Sequence, residues 1–213
     1  MDVYKSDDEQ AEAIRKWWNE NGKSIVIGVF LGLGAIFGWR AWQDYHRQQA
    51  ETASDLFQNI LNITDDAKKK DEIDNISGKL GEDYGSTSYA VFAKLIEAKL
   101  AIDAGNYKTA VDHLKWALAN NKQSSIEHII RLRLARALIN MGKYDEAQSV
   151  LNIKDKGEFN AGYDELLGDI LKLKGDIQGA RNSYQLAMTN RQAANLDTSL
   201  LKLKLDDLGH PQE

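Results

Sequence analysis

The sequence predicts an all-α protein in two parts: one membrane-spanning helix near the N-terminus, then a right-handed helical-repeat domain. Three observations carry this. Proline occurs once in 213 residues, against about 5% in average chains. Proline is kept out of helix interiors because it lacks the N–H and its ring clashes with the preceding turn. An uncharged apolar run extends from Ser24 to Trp39, and a short glycine-led phrase recurs three times in the C-terminal half. Cysteine is absent, which excludes disulfides, thiolate nucleophiles and cysteine zinc sites. The net charge of -5 argues against a general nucleic-acid binder, which needs a basic surface.

The apolar run is bounded by Lys23 and Arg40. As a helix it rises about 24 Å against a hydrocarbon core of ~30 Å. Lys23 and Arg40 can snorkel, and Trp17, Trp18, Trp39 and Trp42 sit where interfacial aromatic belts belong. A buried core helix is one rival, but Gly28, Gly32, Gly34 and Gly38 would each weaken a water-soluble helix by ~1 kcal/mol. A cleaved signal peptide is the other. Gly38-Trp39-Arg40-Ala41-Trp42 is a poor cleavage site, and the acid-rich tail ahead of it is long for a signal. The same glycines form two small-residue pairs, Gly28 with Gly32 and Gly34 with Gly38. This spacing lets a partner helix approach closely in lipid, although glycine is also simply common in membrane helices.

Ahead of the run, Ser6 and Glu9 have capping-box spacing. Ala11, Ile14 and Trp18 share a helical face, and Asn21-Gly22 is the expected helix end. This tail reads as an amphipathic helix on the membrane surface, or as a plain juxtamembrane helix. Lys5, Arg15, Lys16 and Lys23 precede the run closely, and only Arg40 and Arg47 follow it closely. That bias places the N-terminus inside and the large domain outside.

Residues 41–213 are polar, with 22 basic and 26 acidic side chains. Gly105-Asn-Tyr107-Lys-Thr-Ala110 is repeated as Gly142-Lys-Tyr144-Asp-Glu-Ala147 and Gly175-Asp-Ile177-Gln-Gly-Ala180. Four residues beyond each alanine stands Leu114, Leu151 or Tyr184. Three further on come Ala117, Lys154 and Ala187, so the second copy breaks the pattern. Seven residues ahead of each glycine is a small residue: Ala98, Ala135 or Gly168. Four ahead is Ala101, Leu138 or Leu171. Glycine gives the turn its backbone freedom, Tyr or Ile packs under it, and small residues let two helices cross closely. This is the tetratricopeptide pattern.

The expected map assigns a cytoplasmic tail to 1–22, the anchor to 23–42 and a tetratricopeptide-like domain to 43–213. Repeats lie near 91–122, 128–160 and 161–193, with a capping helix over 194–208. Helices are expected at 41–63, 66–79, 88–104, 107–120, 125–141, 144–152, 163–174, 177–190 and 194–208, with a break at 81–85. The helices at 41–63 and 66–79 form a degenerate first pair. Leu201, Leu205 and Leu208 make the apolar stripe a solenoid cap needs.

Catalysis finds no support. His46, His113, His128 and His210 lack metal-ligand spacing and read as solvent-facing. The acidic residues are scattered, and no phosphate-binding glycine loop exists outside the apolar run. Arg131, Arg133 and Arg136, on the first helix of the second repeat, are the candidate partner groove, because first helices line the inside of such arrays. Solvation and pairing within the helix are the plainer reading of these three.

Taken in order, several features match one family. They are the Gln10–Trp18 stretch, Asn21-Gly22-Lys23, Gly38-Trp39-Arg40, Tyr89-Ala90, the run from Arg131 to Arg136, and Lys174-Gly175-Asp176 leading to Ala180-Arg181. The chain resembles the ancillary subunit family of the bacterial SecYEG translocon. The resemblance implies an inner-membrane, single-pass protein with a cytoplasmic N-terminus and a periplasmic repeat domain. It implies the translocon and periplasmic chaperones as partners, and no catalytic residues. The expectation is a non-enzymatic scaffold with no cofactor, nucleic acid or small-molecule substrate. The alternatives are an adaptor of another envelope complex or regulatory partner, and a cleaved soluble repeat protein.

Overall fold

A computed structural model describes residues 7–66 and 69–209. Among them lie nine α-helices: α1 (Asp7–Ile63), α2 (Lys70–Asp83), α3 (Ser88–Asp103), α4 (Tyr107–Asn120), α5 (Ser124–Asn140), α6 (Tyr144–Leu151), α7 (Asn160–Leu173), α8 (Ile177–Ala193) and α9 (Ser199–Asp206). A 3-10 turn, Gly157–Phe159, precedes α7. Ser6, Lys5, His210 and Pro211 lie outside the described residues. The chain forms two units, Met1–Glu51 and Thr52–Glu213.

In the first unit α1 carries the apolar run. The expected end at Asn21-Gly22 is not there, and the helix continues through both residues. Asn21 Nδ2 donates to the Trp17 carbonyl at 3.0 Å, and the Trp18 indole covers Gly22, 3.0 Å from where a Cβ would stand. A glycine costs a helix about 1 kcal/mol, and these local contacts offset it. The run is unburied. Phe30 is 71% exposed and Leu31 70%, which rules out a core helix within this fold. Each large apolar side chain gains about 1.5–3 kcal/mol on leaving water, so the run requires an apolar cover.

In the second unit three helix endings are built alike. Gly105, Gly142 and Gly175 have φ of 72°, 72° and 85°, the left-handed region where a Cβ is penalised. The residue after each glycine donates back across the turn: Asn106 N to Ala101 O at 2.8 Å, Lys143 N to Leu138 O at 2.9 Å, Asp176 N to Leu171 O at 2.9 Å. These are Schellman caps. The next helix starts at once. Asn106 Oδ1 accepts from Thr109 N and Asp176 Oδ1 from Gly179 N, each satisfying an orphan donor. Tyr144 packs against the core. Ile177, expected under its turn, is instead 43% exposed.

Close crossings follow from small residues. Ala98, Ala135, Ala110, Ala147 and Ala180 are all essentially buried, and so are Leu114, Leu151 and Tyr184. From α3 onward each helix packs on the next, and α5 also packs on α7. This is a tetratricopeptide-like helical array. The main core runs from Val91 on α3 to Ile170 on α7. A separate cluster joins Ala53 and Ile60 of α1 to Ile73 and Leu80 of α2 and Ala90 of α3. Leu201 is buried under α9 with Leu205 and Leu208 partly covered beside it.

Several helix boundaries differ from expectation. α2 begins at Lys70 and passes through Gly81 to Asp83, and the break falls at Tyr84–Thr87. α6 stops at Leu151, one residue before the expected end, and Lys154 lies in the loop that follows it. α7 starts three residues early, led by the 3-10 turn. α8 runs on to Ala193, where Asn195 with φ 54° makes a fourth cap, its Leu196 N donating to Arg191 O at 2.9 Å. The last helix is therefore shorter than expected.

Candidate partner-binding surfaces

The glycines of the apolar run are open. Nothing lies within 4 Å of a Cβ built on Gly28, Gly32, Gly34 or Gly38. At 100° per residue the pair Gly28/Gly32 and the pair Gly34/Gly38 face directions about 120° apart. They are two faces, not one seam. At the C-terminal end of the run Trp39 stacks on Trp42 at 5.1 Å between ring centres, and His46 meets Trp42 edge-on at 4.4 Å. Tyr45 adds a fourth ring. Such amphipathic rings suit the headgroup level of a bilayer.

The three arginines of α5 part company. Arg131 is half-buried: its Nε donates to Glu127 Oε1 at 2.8 Å and its Nη1 to the Val150 carbonyl at 3.3 Å, tying α5 to α6. Arg133 and Arg136 are exposed and lie within about 60° of each other around the helix, far from Arg131. Arg133 borders an open cavity of about 270 Å³ whose other walls are Leu95, Ala98, Lys99 and Ile102 of α3 and Leu114 of α4. Leu95, Lys99 and Ile102 stand at i, i+4 and i+7, one stripe of α3.

A second cavity, about 590 Å³, opens between α6 and α7 beside Gln148, Leu151, Lys156, Tyr163 and Leu167. Lys174 Nζ reaches back to Asp145 Oδ1 at 2.8 Å.

Two histidines are not solvent-facing, contrary to expectation. His128 stacks on Phe159 at 5.0 Å and its Nδ1 is 3.1 Å from the Tyr163 hydroxyl. Burial pushes that phenol up to about 12. His113 Nδ1 lies 3.6 Å from Glu97 Oε2. Glu97 is buried and also receives Ser77 Oγ at 2.5 Å and Lys94 Nζ at 2.7 Å. Burial of the imidazole lowers the His113 pKa from its ordinary value, outweighing the Glu97 charge that raises it. The Ser77 and His113 contacts to Glu97 join α2, α3 and α4 across 20 and 16 residues, so no local motif announces them. Among the described residues, no group of three or more His, Asp or Glu is placed to hold a metal.

Comparison with known proteins gives a consistent picture. A family model described as a tetratricopeptide repeat-like domain matches residues 15–210. A protein of Haemophilus influenzae named ancillary SecYEG translocon subunit is 35% identical over 210 residues, 97% of this chain and 100% of its own. Proteins of that name from Aggregatibacter actinomycetemcomitans and Escherichia coli K12 are 34% and 30% identical. They cover 95% and 98% of this chain and 97% and 99% of their own. No solved structure matches the chain.

Proposed function

The chain belongs to the ancillary SecYEG translocon subunit family, with its tetratricopeptide repeat-like domain, and from that premise we propose that it is a non-enzymatic, membrane-anchored scaffold. In this reading α1 holds the protein in the inner membrane beside the translocon. Residues 1–22 are a cytoplasmic tail, 23–42 the anchor and 43–213 a periplasmic repeat domain. The repeat surface recruits periplasmic chaperones to chains emerging from the translocon. Gly28, Gly32, Gly34 and Gly38 let a partner helix lie close, and Arg133 and Arg136 face the partner groove.

One observation carries the reading: the similarity to the named relatives spans 95–98% of the chain, so it takes in the apolar helix as well as the repeats. The excess of Lys and Arg ahead of the run favours the orientation. Tethering turns a weak contact into an effectively intramolecular one, with local concentrations in the millimolar range for short linkers. Weak chaperone contacts therefore suffice.

The test is affinity capture from solubilised membranes with the full chain and with a form lacking residues 1–40. The full chain should bring down the translocon and the shortened form should not. Equal capture by both would remove the anchor from the account. A periplasm-dependent reporter fused after residue 213 should be active. Activity of a cytoplasm-dependent reporter there would reverse the orientation.

A further inference from the structure

We infer that the cavity between α3 and α5 receives a segment of a partner protein in which a carboxylate stands next to an aliphatic side chain. The inference rests on the scaffold reading only for the partner being a protein chain.

The walls are Leu95, Ala98 and Ile102 of α3 and Leu114 of α4, with Arg133 of α5 on the rim. At about 270 Å³ the space lies at the small end of ligand pockets, about 300–1,000 Å³, and admits an aliphatic side chain. Two cations border it and they differ. Lys99 Nζ is held by Asp103 Oδ2 at 2.7 Å, so its stem lines the wall while its charge is matched. Arg133 has no ion pair or hydrogen bond from its guanidinium among the described residues. Arg136, on the same face of α5, has none from its guanidinium either.

An unpaired guanidinium beside an apolar hollow selects its ligand twice. Filling the hollow gains the burial of an apolar side chain. It also strips water from Arg133, which costs free energy unless a counter-charge arrives with the ligand. A carboxylate meets that need bidentately, and the planar guanidinium fork matches it. A neutral apolar segment desolvates the arginine without compensation, and a basic segment is repelled. The rest of the chain is acidic overall, so an acidic segment is attracted at this face and discouraged elsewhere.

The test uses the full chain in lipid nanodiscs and a fluorescein-labelled peptide in which two leucines flank an aspartate within a glycine–serine frame. Companion peptides replace the aspartate by asparagine, or both leucines by serine. The unaltered protein should bind the parent peptide saturably, and each companion about tenfold more weakly. Arg133→Glu should lose binding by at least that factor. Lys122→Glu, the same charge change on an exposed loop, should not. Helicity by circular dichroism should be the same in both. Equal binding of the aspartate and asparagine peptides would overturn the inference. So would equal binding by Arg133→Glu, or a self-association of the chain that Arg133→Glu abolishes, which would make a second copy the occupant. Translocon capture is measured on the same samples. Its failure with peptide binding intact counts against the scaffold reading and not against this site.

Discussion

The Tyr184 ring fills the space that a side chain on Gly168 would need: its Cδ1 lies 2.5 Å from where a Cβ would stand. In the two preceding repeats the corresponding pairs are Ala98 with Leu114 and Ala135 with Leu151. The third repeat has exchanged volume across the crossing, a smaller residue on α7 for a larger one on α8. The phenol is anchored, donating to Asp169 Oδ1 at 2.7 Å, and Asp169 is also paired with Lys204 at 2.7 Å.

Gly168→Ala should therefore destabilise the repeat domain by about 1–3 kcal/mol, the usual cost of overpacking. Adding Tyr184→Leu should recover most of that loss, because it restores the alanine–leucine pair of the other repeats. Asp169 keeps Lys204 as partner in the double variant. Thermal or urea unfolding of the four proteins in the cycle checks this. Additive losses would mean that the two residues do not share the space.

Gly142→Ala places a Cβ at φ 72°, which costs about 1–2 kcal/mol. At about 2–4 °C per kcal/mol for a domain of this size, the melting temperature should fall measurably. Asn195→Gly should have the opposite sign or none, since Asn195 already sits at φ 54° and glycine holds that backbone more easily. A larger loss for Asn195→Gly than for Gly142→Ala would refute the cap assignment.

Acid should weaken the domain through His113. Its pKa is lowered on folding from an ordinary 6.5, chiefly by burial, with Lys94 and Lys70 acting in the same direction and Glu97 and Asp74 against it. As pH falls below about 6.5 the unfolded chain takes up this proton first, so the folded state loses stability until its own lower pKa is reached. Above that range the residue contributes nothing to the pH slope. His113→Gln should flatten the decline in melting temperature between about pH 7 and pH 5. An unchanged slope would show that other groups govern it.

Much of the fold was legible because its signals are local. A glycine at a left-handed turn followed by a capping side chain sets a boundary within one or two residues. α4 accordingly begins at Tyr107 as expected. Where another residue did the same work the boundary was missed: Asn195 ends α8 without a glycine, and Gly81 sits inside α2 without ending it. The brevity of α6 is legible, since the expected helix over 144–152 ends one residue beyond the observed one; the packing of Ile153 from the following loop on the core is not, because that contact lies between elements. The candidate groove was half legible. Helical periodicity separates Arg131 from Arg133 and Arg136. That Arg131 is spent on Glu127 and Val150, and that Arg133 borders a hollow in α3, depends on packing between helices. The partners of Glu97 and His113 were illegible for the same reason.

As an anchor, α1 should meet the translocon inside the membrane. The direct measurement is photocrosslinking in intact cells from a photoreactive residue at position 28, and separately at position 34. Both sites are open to a side chain, and they lie on faces about 120° apart. An adduct containing a translocon subunit is expected from at least one of the two faces. Absence of any translocon adduct from both positions, in a chain shown to be membrane-inserted, would contradict it.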